Sequence, residues 1–137
     1  MVTWVLDTSV VAKWFLSESG TDRAEKYLKA LDGGAARVVV PSSLYYELGN
    51  IFWVRRRDRL TEQIALQMWL ELLELPLDVT DWHELLPQSI SSAYRLGITT
   101  YDAVFVVLAQ QLGCDFITDD QALWKNTRSA CPWVKRL

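Results

Sequence analysis

Histidine and cysteine are nearly missing from this chain: His83 is the one histidine, and Cys114 and Cys131 are the two cysteines. A zinc site wants more such ligands than these three scattered residues provide. The cysteines form neither a disulfide framework nor a CxxC motif. Both are expected as reduced, buried thiols of a cytoplasmic protein. No apolar run reaches the roughly 18 residues of a membrane span. The opening Met1-Val2-Thr3-Trp4-Val5-Leu6-Asp7 lacks the basic region and cleavage site of a secretory leader. An excess of basic charge is also absent, since 14 Lys and Arg face 17 Asp and Glu for a net charge of −3. That argues against a broadly basic nucleic-acid binder working by charge alone. It leaves room for an enzyme with a local basic patch.

Half of the 137 residues are apolar, which is enough for a real core without a disulfide or metal staple. Collagen-like and disordered classes are thereby excluded. Short β-branched runs alternate with helical patterns. Val2 to Leu6 reads as a strand buried on both faces, Val38 to Val40 as a second ended by Pro41, Leu77 to Thr80 as a third and Asp115 to Thr118 as a fourth. Trp133 to Leu137 reads as an edge strand.

Between them, a short helical stretch is expected over Val10 to Leu16, and a helix over Thr21 to Leu31, capped by Thr21 and ended by Gly33-Gly34. Ser42 or Ser43 opens a helix to about Arg57, with Leu44, Leu48, Ile51 and Arg55 on one stripe. Thr61 opens another to about Leu75, with Ile64, Met68, Leu72 and Leu75 on one side. Asp81 caps a helix over Trp82 to Leu96 that contains Pro87 or is split by it. Thr99 or Thr100 opens Tyr101 to Leu112, whose stretch Ala103 to Ala109 is apolar all round and therefore central. Asp119-Asp120 start a last turn through Lys125. The alternation predicts one α/β domain over residues 1–137, a parallel sheet covered on both faces by helices.

In such sheets ligands bind beyond the carboxyl ends of the strands. Asp7 ends the first strand, and Asp119 and Asp120 follow the fourth. Glu47 lies on the edge of an apolar stripe, and Asp102 in the first turn of the most apolar helix. Each has an ordinary alternative. Asp7, Asp102 and the doublet can cap helices, and Glu47 can pair with an arginine such as Arg55. Taken together, all can face one sheet edge. Converging carboxylates raise one another's pKa, and a hard divalent cation removes the conflict. Ligation by oxygen alone suits Mg²⁺ or Mn²⁺ and phosphoryl chemistry.

The same residues resemble the blocks of PIN domains. Leu6-Asp7-Thr8-Ser9 resembles the first block, Pro41-Ser42-Ser43 leading to Glu47 the second, Thr100-Tyr101-Asp102-Ala103 the third, and Ile117-Thr118-Asp119-Asp120 the fourth. Small PIN proteins of this kind are similar to VapC-type toxins of toxin–antitoxin pairs. The resemblance implies a three-layer α/β/α sandwich and a Mg²⁺- or Mn²⁺-dependent endoribonuclease that leaves a 5′-phosphate. It implies Asp7 and Asp102 as principal metal ligands, with Glu47 and Asp120 completing the acidic set. Asp119 competes with Asp120 for the fourth place, and motif register favours Asp120. Ser9 and Thr118 are implied as hydrogen-bonding neighbours of the acids. A homodimer and a cognate antitoxin protein are implied as partners.

Arg55, Arg56, Arg57 and Arg59 form the one concentrated basic segment. They either stabilise a helix C-terminus or contact RNA phosphates. Trp14, Phe15, Trp53 and Trp69 exceed what one stripe can bury and fit either a larger core or a partner surface. His83 is expected on a helix surface, away from the chemistry, and Trp4 in the core. The rival readings are a catalytically inert PIN-like binding module and another Mg²⁺-dependent α/β protein. A DxD phosphatase wants an acid where Ser9 stands. A receiver domain wants its acidic doublet after the first strand.

Overall fold

Five short strands, all mutually parallel, organise the chain in a computed structural model that describes residues 1–137. They are β1 (Val2–Leu6), β2 (Ala36–Pro41), β3 (Asp78–Thr80), β4 (Asp115–Thr118) and β5 (Val134–Arg136), in the order β3-β2-β1-β4-β5. Seven α-helices connect them: α1 (Thr8–Val11), α2 (Thr21–Asp32), α3 (Ser43–Val54), α4 (Glu62–Glu74), α5 (Trp82–Leu96), α6 (Thr100–Leu112) and α7 (Gln121–Thr127). Consecutive residues Val38, Val39 and Val40 are all buried, as are Phe116, Ile117 and Thr118. Because neighbouring side chains of a strand point to opposite faces, helices must cover both faces. The result is the expected three-layer α/β/α sandwich.

The strand order fixes where a ligand can enter. From β1 the chain moves outward through β2 and β3, then returns to place β4 on the other side of β1. The crevice between the carboxyl ends of β1 and β4 is therefore the topological switch point. β1 and β4 pair through Val5↔Phe116 and Leu6↔Ile117, and the Asp7 N–H donates to the Ile117 carbonyl at 2.9 Å. Asp7 and the Asp119-Asp120 doublet thus leave the sheet side by side.

Helix α6 packs against β1, β2 and β4. Its seven consecutive residues Ala103 to Ala109 are buried, as their uniform apolarity implied. Thr99 caps it by accepting from the Asp102 N–H at 3.2 Å, and Gly113 ends it in the left-handed conformation, φ 65°. Helix α5 is continuous through Pro87, which sits on the exposed side of the helix.

Several expectations are corrected. Only the second half of β1 is buried on both faces; Val2 is exposed, and Trp4 is half-buried with its ring edge-on to Tyr27. The stretch after Asp7 starts at Thr8 rather than Val10 and tightens into a 3-10 turn over Ala12–Trp14. Gly20, not Thr21, caps α2; the Thr21 hydroxyl accepts from Glu18 N–H instead. Helix α3 stops at Val54, and Arg55–Asp58 form a 3-10 turn. Its core stripe is Leu44, Leu48 and Phe52, with Arg55 turned out to ion pairs. On α4 only Leu72 is buried, while Ile64, Leu66, Trp69, Leu70 and Leu73 are exposed. The expected stripe does pack on the core through Met68, Leu72 and Leu75, whereas Ile64 and the apolar residues outside the stripe face outward. Cys131 is buried, Cys114 only half-buried, and both are free thiols. No helix is long and apolar enough to cross a membrane.

Candidate active site

Asp7 is the innermost acid. Its position follows from β1 ending where α1 begins, so its carboxylate caps α1 while facing the switch-point crevice. Oδ1 accepts from the Thr8 N–H at 2.9 Å. Oδ2 accepts from Ser9 Oγ at 2.8 Å and from Thr118 Oγ1 at 2.7 Å. The side chain therefore caps α1 with one oxygen and meets two hydroxyls at the crevice with the other. Burial raises the Asp7 pKa to about 6, opposed by the hydrogen bonds from Thr118 and Ser9 and reinforced by the negative charge of Asp102.

Glu47 reaches the same place from the second turn of α3. Its Oε2 accepts from Thr8 Oγ1 at 2.6 Å, while Oε1 is buried and has no hydrogen-bond partner. Burial lifts its pKa to about 7; the Thr8 bond lowers it, and the charges of Asp7 and Asp102 raise it. The alternative partner, Arg55, is engaged elsewhere: it meets Glu18 at 3.1 Å and Asp58 at 3.3 Å. Asp102, half-buried in the first turn of α6, is also raised, first by burial and then by the charge of Asp120. The Asp120 carboxylate, on the exposed side, caps α7 through the Leu123 N–H at 3.0 Å. The four acids thus grade from interior to solvent and act electrostatically on one another.

The doublet's two members do different things. The Asp119 side chain turns to Lys13, with Oδ2 3.1 Å from Nζ. Its backbone N–H donates to Ser9 Oγ at 3.1 Å, and the Asp120 N–H donates to Thr118 Oγ1 at 3.0 Å. Ser9 and Thr118 thereby tie both halves of the doublet to Asp7. Two residues were missed by sequence reasoning. Thr8, which orients Glu47, stood unremarked inside the first block. Lys13 is buried, and its signal was available: one cation inside the apolar run Val10 to Phe15 must find a counter-charge.

Does this set fit a divalent cation? The donors are all oxygens, and the orphaned Glu47 Oε1 is a buried acceptor of the kind that calls for a cation or a proton. No three of the chain's acidic, histidine and cysteine side chains stand close enough to enclose an ion directly. Mg²⁺ does not require that, because it commonly keeps several waters and takes one or two carboxylates directly. The residues fit such an ion held partly through water. His83 lies far along the chain from these groups, exposed and stacked on Trp82.

Arg56 stacks over Trp53, 3.7 Å from guanidinium carbon to ring centroid, and Arg57 and Arg59 are exposed. These arginines stand about ten residues beyond Glu47, or about 15 Å along a helical path. Beside them, α3 and α4 frame an apolar groove of about 410 Å³, lined among others by Tyr45, Phe52, Trp53, Leu66 and Trp69.

Known proteins resemble this chain in sequence and in fold. Ribonuclease VapC3 of Pyrobaculum aerophilum is 31% identical over 122 residues, covering 87% of this chain and 90% of the relative. The crystal structure of PAE2754 from Pyrobaculum aerophilum superposes with a TM-score of 0.68 at 21% identity, covering 94% of this chain and 82% of that one. A toxin–antitoxin complex from Klebsiella pneumoniae contains a chain that superposes at 0.66 and 15% identity, covering 96% and 94%. The PIN domain family model matches residues 4–128, and the chain belongs to the PIN-domain family.

Proposed function

We propose that this protein is a Mg²⁺- or Mn²⁺-dependent endoribonuclease and the toxin of a type II toxin–antitoxin pair, acting in the cytoplasm as one domain over residues 1–137. The observation that carries the chemistry is the acidic set, anchored on buried Asp7, with the unpartnered Glu47 Oε1 at the switch point. The substrate class rests on the relative named Ribonuclease VapC3.

Asp7 and Asp102 would hold the cation, with Glu47 and Asp120 completing the set directly or through water. When bound, the ion supplies a water made nucleophilic near neutral pH and a positive centre for the phosphate. The chain's own residues prepare that site. Ser9 and Thr118 hold the Asp7 carboxylate in one orientation, so little reorganisation is needed when charge arrives. Thr8 does the same for Glu47. Asp120, at the solvent side, stands where the RNA backbone enters. Arg56, Arg57 and Arg59, exposed beyond the end of the helix that carries Glu47, would meet phosphates away from the cut; Arg55, held by Glu18, is the least available of the four. The groove between α3 and α4 is the surface for a cognate antitoxin or for the second copy of a homodimer. Antitoxin is favoured by the solved toxin–antitoxin complex from Klebsiella pneumoniae, which shares the fold.

The test is cleavage of total cellular RNA by the purified protein with Mg²⁺ or Mn²⁺, with EDTA, and with Asp102→Asn. Discrete cuts with 5′-phosphate ends, lost in EDTA and in the folded variant, are expected. Cuts that survive EDTA, or that carry 2′,3′-cyclic phosphates, would overturn the proposal. An RNA-inert, metal-loaded protein would favour the binding-module reading.

A further inference from the structure

Lys13 carries a charge that the reaction above does not use. Its side chain is 6% exposed, and it sits in the 3-10 turn that follows α1. The ammonium has three donors, and three acceptors meet it: Ser19 O at 2.7 Å, Glu18 Oε1 at 3.0 Å and Asp119 Oδ2 at 3.1 Å. The second oxygen of Glu18 takes Arg55 at 3.1 Å. Charges therefore alternate along Arg55, Glu18, Lys13 and Asp119, from the end of α3 to the loop after β4. The path continues through neutral groups: the Asp119 N–H donates to Ser9 Oγ, and Ser9 Oγ donates to Asp7 Oδ2.

The geometry points to Lys13 as a positioning residue for the acidic site: by holding Asp119, it keeps Ser9 on Asp7 and leaves Asp120 as the doublet's contribution to the cluster. This role rests on the proposed metal-dependent function. Two features separate it from an ordinary buried ion pair. First, the partner Asp119 shares a peptide bond with Asp120, so anchoring one residue sets the other. Second, a released Asp119, about one-third exposed, would add a fifth negative charge beside acids that already oppose one another's ionisation. Removing one partner of a buried ion pair destabilises the fold whether or not the pair positions a ligand. A stability measurement alone thus does not read this role, whereas metal affinity does. Partners that orient metal ligands typically carry 10–100-fold of affinity.

The experiment is a Mn²⁺ titration followed by electron paramagnetic resonance of the free ion, on the wild type, Lys13→Met, Asp119→Asn and the double variant. Circular dichroism melts in EDTA define the temperature at which each is folded. Lys13→Met and Asp119→Asn are each expected to weaken Mn²⁺ binding about tenfold or more. The double variant is expected to be no worse than the weaker single one, because both remove one contact. Folded Lys13→Met with wild-type affinity would overturn the role. Tighter binding would overturn it too, by making Asp119 a ligand that Lys13 restrains. If Lys13→Met does not fold, wild-type affinity in Asp119→Asn is the refuting result. A wild type that binds no Mn²⁺ saturably removes the metal site itself and this role with it, which distinguishes the two failures.

Discussion

Replacing Asp7 by Asn should make the protein more stable while abolishing its activity. The carboxyl is raised from 3.8 to about 6, chiefly by burial. Each step of one in pKa is worth about 1.4 kcal/mol, so the ionised group costs at most about 3 kcal/mol near pH 7.5. Asn keeps the shape and removes the charge. It gives up the charge-assisted bonds from Ser9 and Thr118, although both hydroxyls can turn to accept from the amide. The net gain should be about 1–2 kcal/mol, or about 4–8 °C in Tm for a domain of this length. The sign depends on pH. A carboxyl whose folded pKa is raised stabilises the fold fully below its unfolded value near 4, and that contribution is lost as pH rises through about 6. The variant's advantage in EDTA should therefore be present at pH 7.5 and absent at pH 4. Added Mg²⁺ should raise the Tm of the wild type and not that of the variant, since only the former binds it tightly. Calorimetry at both pH values checks this. Equal or lower stability of Asp7→Asn at pH 7.5, or the same gain at both pH values, would refute the electrostatic reasoning.

Thr118→Val deletes a donor to Asp7 and an acceptor for the Asp120 N–H; it should cost about 1–3 kcal/mol by urea titration and lower kcat more than it changes KM. Arg57→Ala with Arg59→Ala should raise the RNA KM and flatten its dependence on salt, with Mn²⁺ binding unchanged; an unaltered salt slope would leave these residues a purely structural role. Leu66→Glu on the exposed face of α4 should change stability by less than about 0.5 kcal/mol. It should abolish capture of the antitoxin in a pull-down while leaving RNA cleavage intact; retained capture would place the partner elsewhere.

The fold was legible where local and global demands agree. The apolar run Ala103 to Ala109 could be satisfied only by burial on every side, and it lies against three strands of the sheet. Phe116 to Thr118 likewise had to be an inner strand. The acids were legible for a related reason: Asp7 and Asp120 follow the carboxyl ends of apolar strands, and Glu47 and Asp102 interrupt apolar stretches in the early turns of α3 and α6. What stayed hidden depends on contacts distant in sequence. Nothing local distinguishes Asp119 from Asp120; Lys13, 106 positions earlier by subtraction of the two residue numbers, draws one of them away. Helix α4 shows the opposite case. Its stripe of Met68, Leu72 and Leu75 does meet the core, but the helix carries further apolar residues, Leu66, Leu70 and Leu73, and spacing does not say what covers those. The half-exposed β1 reflects the same limit, since Val2 and Thr3 are strand-like in character and lie at the amino end of the sheet, where burial falls away.

In the proposed enzyme four carboxylates act as one divalent-cation site. Diffraction from crystals soaked in Mn²⁺, measured at the manganese absorption edge, tests this most directly. Anomalous density is expected among Asp7, Glu47, Asp102 and Asp120, adjoining Asp7 and Asp102, and should be lost in Asp102→Asn. Density beside Asp119 alone, or none within the cluster at saturating Mn²⁺, would contradict a shared site.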